Sequence, residues 1–359
     1  MDLTIKLKLS IHTKPMSKEE LIRQFQVLIH KITADNDKSA PFKIRQYADT
    51  IKLLLTYPSD SIDDIAEVEE WFRLNGKKNP KNIIEKITTF KDSGYIPQVK
   101  DALDDPLVNA VINLTKIANI GPAKAKELYR KHTIITIDDL RNKYLLDKSI
   151  IHEKQQMGLK YHNDLIKRIP REEMESYNKI LGDICKSIST EMLFSINGSF
   201  RRDHVSSGDV DILISGPPGK NKEFRQRFID ELKSRKIIKE ILASGKKKFM
   251  GIALLDGYSV HRHVDIIDTE LAQYPFAQLY FTGSGGFNSH MRLIALNKGF
   301  SINEYCISDK KTKKPVEPGE IFNKLGKDKF EVEEDIFRFI DIDYVYPKDR
   351  NTATLSKMI

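Results

Sequence analysis

The sequence predicts a multidomain α+β protein, with two helical parts first, a mixed β-sheet with helices next, and a small α+β part last. Three observations point there. At 359 residues the chain is too long for one ordinary core, so two to four domains are expected. Apolar residues recur at helical spacing from Ser17 to about Ser93. Beyond Gly158, short strand-like runs alternate with helical segments.

Composition narrows the class. Lys+Arg 59 against Asp+Glu 51 gives a net charge of +8 and a pI near 9.1, a balance that suits an anionic partner without establishing one. Two cysteines, Cys185 and Cys306, exclude a disulfide-stapled scaffold and a cysteine-rich zinc module. The opening residues carry lysines where a signal peptide needs its apolar core, and no apolar run reaches the length of a membrane span. The expectation is an intracellular, self-contained, monomeric protein with no membrane contact.

In order along the chain, residues 1–16 read as a leader ending at Lys14-Pro15. Leu21, Phe25, Leu28, Ile29 and Ile32 mark one helix, and Ile44, Tyr47, Ile51, Leu54 and Leu55 a second. Tyr57-Pro58 breaks the second, with Asp60 or Ser61 as the expected cap of the next. Trp71 and Phe72 sit in a further helix, and Ile83, Ile84, Ile87 and Phe90 in another. The chain changes element at Asp104-Asp105-Pro106 and begins a second helical unit reaching about Lys154. Strands are expected at Met192–Ile196, Val210–Ile214, Phe249–Leu255 and His263–Ile267, with a helix over Lys222–Ser234 after a turn at Pro218-Gly219. Short helices and strands mix from Tyr274 onward. Lys310-Lys311-Thr312-Lys313-Lys314 reads as a solvated loop rather than a localisation signal.

The segment from Asn197 to Ser215 carries the chemistry. Gly198-Ser199 follows a strand and precedes a helix, so free backbone N–H groups there suit phosphate oxygens. Arg201 and Arg202 add guanidinium forks of matching shape. Asp209 and Asp211, two apart on a strand, point to one face, while Val210, Ile212 and Ile214 point to the other. Two such carboxylates repel unless a cation lies between them, and Mg2+ is the natural occupant. Asp265, in His263-Val264-Asp265-Ile266-Ile267, offers a third carboxylate from a neighbouring strand. Asp268 competes for that role, but three residues on it points away. The arrangement fits nucleotidyl transfer.

Gly198-Ser199-Phe200-Arg201-Arg202 with Ser206-Ser207-Gly208-Asp209-Val210-Asp211 resembles the signature of the family X DNA polymerases, of the beta type. Lys248-Phe249-Met250-Gly251, Tyr280-Phe281-Thr282-Gly283-Ser284, Phe287-Asn288, Met291-Arg292 and the stretch from Lys298 to Tyr305 follow in the family's order. The likeness spans about Lys43 to Lys348, and the frequent Lys, Ile and Asn suit an AT-rich genome, that of a large DNA virus included. The likeness implies a leader (1–16), an all-helical lyase-like domain (17–100), a helix-hairpin-helix thumb (101–157), a nucleotidyltransferase palm (158–272) and a nucleotide-selecting domain (273–359).

By resemblance, Asp209 and Asp211 bind two Mg2+ ions, for which Mn2+ substitutes, and Asp265 ligates the catalytic one. Ser199, Arg202 and the Gly208 backbone hold the dNTP phosphates. Tyr280, Phe281 and Gly283 pack on its sugar, and Asn288 meets its base. Arg292 contacts the template, Tyr305 lies near the templating pocket, and Lys248 contacts DNA. Ile117-Ala118-Asn119-Ile120-Gly121-Pro122 resembles a hairpin turn, with Gly121, Ala123 and Lys124 at a DNA phosphate and the Thr115, Ile117 and Ile120 carbonyls around Na+ or K+. Asn119 replaces the usual glycine there. In the helical domain Lys86 aligns with the Schiff-base lysine of a 5′-deoxyribose-phosphate lyase, its amine made neutral by Lys43 and Lys81, with Lys43 and Tyr47 at the 5′-phosphate pocket.

Several positions depart from the pattern. Gln156, His263 and Ile267 stand where the family has arginines, Gly285 where it has an aspartate, Asn82 where it has a lysine, and Gly76–Pro80 where it has a hairpin. The resemblance implies gap-filling synthesis on gapped or nicked duplex DNA in base excision repair. It places the chain in the nucleus if cellular, or at a cytoplasmic replication site or in the virion if viral. Two rivals remain: a template-independent terminal transferase using the same carboxylates, and a gap-binding protein without catalysis.

Overall fold

The computed structural model describes residues 17–35, 39–75, 77 and 79–350. The expected leader, and Gly76 and Lys78 of the expected departure at 76–80, lie outside them. The chain divides into two compact units, Met1–His162 and Asn163–Ile359.

The first unit is helical: α1 (Lys18–Asp35), α2 (Ala40–Thr56), α3 (Ile65–Leu74), α4 (Lys81–Ser93), α5 (Pro97–Asp104), α6 (Pro106–Leu114), α7 (Pro122–His132), α8 (Ile137–Leu146) and α9 (Glu153–Leu165), whose last residues pass into the second unit. Leu21, Phe25 and Leu28 of α1 and Ile83, Ile87 and Phe90 of α4 are buried, as their three- and four-residue spacing requires. Pro58 ends α2 by forcing Tyr57 into extended backbone. The next cap is Asp64, which accepts from Ala66 N at 2.8 Å, not Asp60 or Ser61 as expected. A cap must directly precede the first helical residue, and Asp60 instead meets Lys18 at 3.3 Å.

Asp105 ends α5 and caps α6 through Leu107 N at 2.9 Å, with Pro106 in the first helical position. The α6–α7 turn passes through Asn119 at φ +66, a left-handed conformation that asparagine tolerates better than most residues. Gly158 on α9 closes against this turn: a Cβ there would meet Ala118 O at 2.1 Å. One buried cluster runs from Leu21 to Leu159, so the two helical domains expected on either side of residue 100 share an interior.

The second unit is built on a sheet of five strands in the order β2 (Leu193–Ile196), β4 (Val210–Ser215), β7 (Arg262–Asp268), β6 (Lys248–Ala253), β5 (Ile238–Ser244). β4 and β7 run parallel and the other neighbours antiparallel. β1 (Ile169–Pro170) pairs with β3 (Ser206–Ser207) beside it. Helices α10 (Arg171–Ile188) and α12 (Asn221–Ser234) bury Tyr177, Leu181, Phe228 and Leu232 in one cluster with Val210, Ile212 and Ile214 of β4. Inside it Arg262 forms a two-pronged ion pair with Glu173 at 2.8 and 2.6 Å.

The C-terminal part comprises α13 (Tyr274–Thr282), α14 (Gly285–Asn297), the hairpin β8 (Phe300–Ile302) to β9 (Ile307–Asp309), α15 (Pro318–Leu325) and α16 (Glu333–Phe339), and has its own buried cluster from Phe276 to Val345. Among the described residues no helix is long and apolar enough to cross a membrane.

Candidate active site

Register builds the carboxylate cluster. Asp211 on β4 and Asp265 on β7 are direct partners in the parallel pairing. Residues so paired point to the same face, and β4 turns Ile212 and Ile214 the other way into the core. Asp209 lies just ahead of β4, in the bend after Gly208, rather than within the strand as expected. Arg168 closes on Gly208 there: a Cβ on Gly208 would stand 3.3 Å from its Nη1.

The carboxylates crowd one another. Burial first, then the charges of Asp209 and Asp265, push the Asp211 carboxyl up to about 7. Burial also raises Asp209, with His263 opposing and Asp265 adding to the shift. Asp265 is buried; its Oδ2 lies 2.6 Å from Lys248 Nζ, and its Oδ1 lies 3.4 Å from His263 Nε2 without a hydrogen bond. Asp268 points elsewhere, to Arg225 at 3.2 Å.

Among the described residues, no three His, Cys, Asp or Glu side chains converge as a ready metal cluster. At Asp265 the nearest cation is Lys248 Nζ, 2.6 Å from Oδ2. The donor set nevertheless fits a hard divalent cation: three carboxylates with mutual repulsion, and a buried Asp265 Oδ1 that no hydrogen bond satisfies.

The expected phosphate loop is a single helical turn, α11 (Gly198–Arg201). Gly198 has φ +59, and a Cβ on it would come 2.5 Å from Asp211 Oδ2, so the loop and the carboxylate share one space only glycine allows. Ser199 is partly exposed on this turn. Arg202 donates from Nη1 to Thr282 O at 2.5 Å, its Nε has no partner, and burial lowers its pKa. Arg201 does not offer its guanidinium to a phosphate as expected. Its Nη1 is held by Thr282 Oγ1 at 2.7 Å and by both Glu333 oxygens at 2.8 Å. Glu333 also receives Arg350 Nη2 at 2.5 Å. No local pattern announces this network, whose partners lie up to 132 residues apart.

The residues expected at the nucleotide lie at the end of α13 and on α14. Tyr280 and Phe281 meet edge to face at 5.0 Å. Gly283 takes φ +68, with Arg202 beside it, and a cis peptide joins it to Ser284. Asn288 donates from Nδ2 to Tyr280 O at 2.6 Å, and Arg292 stacks over the Tyr280 ring at 5.1 Å. Tyr305 lies 5.2 Å from Lys247 Nζ.

The remaining residues lie in the first unit. Gly121, Pro122 and Ala123 open α7 with exposed backbone, and Lys124 meets Glu127 at 3.4 Å. Lys126, expected to add charge at this end, donates to Thr33 O at 2.9 Å. Thr115 caps the end of α6, Ile117 follows in the turn, and the Ile117 carbonyl accepts from Ile120 N at 3.1 Å. Lys86 lines a cavity of about 430 Å³ together with Lys43, Tyr47, Asn82 and Gln98. Burial lowers the Lys86 pKa, against the opposing charge of Glu85. That cause differs from the expected one: desolvation, not Lys43 and Lys81, drives the shift, because an ammonium loses hydration inside the cavity.

Comparison with known proteins follows the same order. The fingers domain of DNA polymerase lambda matches residues 113–166, the DNA polymerase beta palm residues 168–270, and the DNA polymerase beta thumb residues 277–351. The hairpin region thus carries the fingers name and the C-terminal part the thumb name. DNA polymerase lambda of Rattus norvegicus is 27% identical over 284 residues, covering 76% of this chain and 47% of that protein. DNA polymerase lambda of Arabidopsis thaliana is 25% identical over 360 residues, covering 95% of this chain and 64% of its own length. The type-X family protein pol4 of Schizosaccharomyces pombe is 27% identical over 323 residues, covering 87% of this chain and 60% of its own. The chain therefore spans between 47% and 64% of the length of these relatives. With fingers, palm and thumb matched in succession along the sequence, and the carboxylates within the palm match, the chain belongs to the family X DNA polymerases.

Proposed function

We propose that the chain is a DNA-directed DNA polymerase that fills short gaps in base excision repair and removes 5′-deoxyribose phosphate through Lys86. The observation that carries the polymerase reading is the parallel register that sets Asp211 beside Asp265, with Asp209 at the head of β4. On this reading Asp209, Asp211 and Asp265 would hold two Mg2+ ions, or Mn2+ in their place, which when bound offset phosphate charge and acidify the attacking hydroxyl.

Asp265 Oδ1, buried and without a hydrogen bond, is suited to take the proton of the primer 3′-hydroxyl. Ser199, the Gly208 N–H and Arg202 would bind the dNTP phosphates. Arg202 is pinned to Thr282 O at one nitrogen, and its unpartnered Nε remains to donate. Tyr280, Phe281 and Gly283 would pack on the sugar, with Asn288 at the base. Lys248, Arg292 and Tyr305 would meet the DNA near the template. The exposed start of α7, with Gly121, Ala123 and Lys124, suits a duplex phosphate, and the carbonyls of Thr115, Ile117 and Ile120 would hold Na+ or K+ behind it.

For the lyase step, Lys86 Nζ would add to the C1′ aldehyde and expel water to give an imine; loss of a C2′ proton would then break the C3′–O bond, leaving a 5′-phosphate on the downstream strand, and hydrolysis of the imine would free Lys86. Two observations support this reading: burial lowers the Lys86 pKa, and Lys43 and Tyr47 line the same cavity.

One substrate tests both activities: a single-nucleotide gap bearing a downstream 5′-deoxyribose phosphate. Wild type should insert the templated nucleotide with Mg2+ and be trapped on the sugar by borohydride. Asp265→Ala should lose only insertion and Lys86→Ala only trapping. Wild type that inserts without regard to template is a terminal transferase, and wild type that binds the gap but inserts nothing overturns the polymerase reading.

A further inference from the structure

Lys248 holds Asp265 through a diagonal cross-strand contact. In the antiparallel β6–β7 pairing, Met250 faces Asp265 and Lys248 faces Ile267. Lys248 is therefore two residues along from the position opposite Asp265, on the same face, a spacing that a long side chain bridges. Its Nζ reaches Oδ2 at 2.6 Å, while the Lys248 side chain stays 47% exposed and the Asp265 side chain only 10%. The cation on this carboxylate can thus leave without unfolding anything, and the carboxylate cannot.

Lys248 is also the last of three consecutive exposed lysines, Lys246-Lys247-Lys248, at the turn from β5 to β6. Such a strip binds a phosphate backbone by charge. A phosphate within reach competes with Asp265 for the same ammonium. Once the ammonium has moved, Asp209, Asp211 and Asp265 share their negative charge with no lysine on Oδ2, and their joint affinity for a divalent cation rises.

We propose that Lys248 is a resident counter-ion that keeps divalent metal off Asp265 until nucleic acid draws it away, so that DNA occupancy and metal binding are coupled through one side chain. The inference rests on the polymerase reading of the carboxylates. By linkage, metal tightens DNA binding by the same factor that DNA tightens metal binding. The free chain is thereby kept from loading metal at a site that has no substrate to act on.

The test is Mn2+ binding to the full chain, followed by electron paramagnetic resonance, with no nucleotide and no turnover. In the absence of DNA, Lys248→Met should bind Mn2+ about tenfold more tightly than wild type, within the usual range of coupling between two sites. Stoichiometric gapped duplex, with the Mn2+ bound by DNA alone subtracted, should tighten wild type and leave Lys248→Met unchanged. Lys247→Met, which removes an adjacent charge not on Asp265, should leave the DNA-free affinity where it was. Equal DNA-free affinity in wild type and Lys248→Met, or equal tightening by DNA in both, overturns the proposal. Asp265→Asn separates the two levels of failure. If it weakens Mn2+ binding while Lys248→Met changes nothing, only the coupling is wrong. If Asp265→Asn also changes nothing, the carboxylate reading falls with it.

Discussion

Gly198 and Asp211 occupy one another's space: a side-chain carbon on Gly198 would come within 2.5 Å of Asp211 Oδ2. The phosphate loop and the central carboxylate are therefore set by one contact. Gly198→Ala must push Asp211 aside and hold alanine at φ +59, at a cost of about 1–2 kcal/mol. Templated insertion should fall about a hundredfold or more, since misplacement by about 1 Å has that effect. Single-turnover insertion and a thermal melt on the same variant check both figures, and unchanged insertion would refute the contact.

Glu333 is the shared acceptor of Arg201 and Arg350, and the Arg350 side chain is fully buried. Glu333→Ala leaves two guanidiniums without their counter-charge and should destabilise the second unit by about 3–5 kcal/mol. Urea unfolding followed through that unit measures this. A loss below about 1 kcal/mol would show that the network contributes little to stability.

Asp211 gives stability a pH dependence. Its carboxyl rises from 3.8 to about 7 on folding, so between those values the folded chain keeps a proton the unfolded chain has released. The stability this group contributes is present below 3.8 and is lost as pH rises through about 7. Metal-free wild type should therefore lose stability across that window, and Asp211→Asn should flatten the loss and melt higher at pH 8. Identical pH profiles for the two proteins would contradict the crowding.

Lys86 should react as a lysine of lowered pKa. Burial favours its neutral amine, so trapping on the abasic sugar should rise with pH and level off below the ordinary lysine value of 10.5. Lys86→Arg should abolish trapping, by about a thousandfold or more. A wild-type profile still climbing at 10.5 would mean that the cavity does not desolvate the amine.

Gly158 tests the hairpin. A Cβ there would lie 2.1 Å from the Ala118 carbonyl oxygen, backbone that cannot swing aside. Gly158→Ala should cost about 1–3 kcal/mol and loosen the turn before α7. Hydrogen exchange of the Thr115–Pro122 backbone should accelerate while the β4 and β7 amides keep their protection.

Local pattern was enough for much of this. Helical spacing placed the apolar faces of α1 and α4, and two-residue alternation placed β4 with Asp211 opposite its buried isoleucines. Neither pattern announced β5, whose pairing with β6 shifts register twice and so disturbs the alternation. Asp64 as the cap of α3 and Asp209 as a residue outside β4 also escaped it, since element ends depend on single hydrogen bonds rather than on periodicity.

The sequence by itself determined which residue types stand at which spacing: a glycine-serine turn, two aspartates two apart, a third on a later strand, and a lysine on an amphipathic helix. Only the tertiary structure decided what each of them meets. It gave Arg201 to Glu333 rather than to phosphate, put Lys248 on Asp265, closed Gly158 against Ala118, and enclosed Lys86 in a cavity. Periodicity reports which face of one element is apolar, over a few residues. Ion pairs and close approaches depend on which elements pack together, and that is fixed by contacts between segments tens to more than a hundred residues apart.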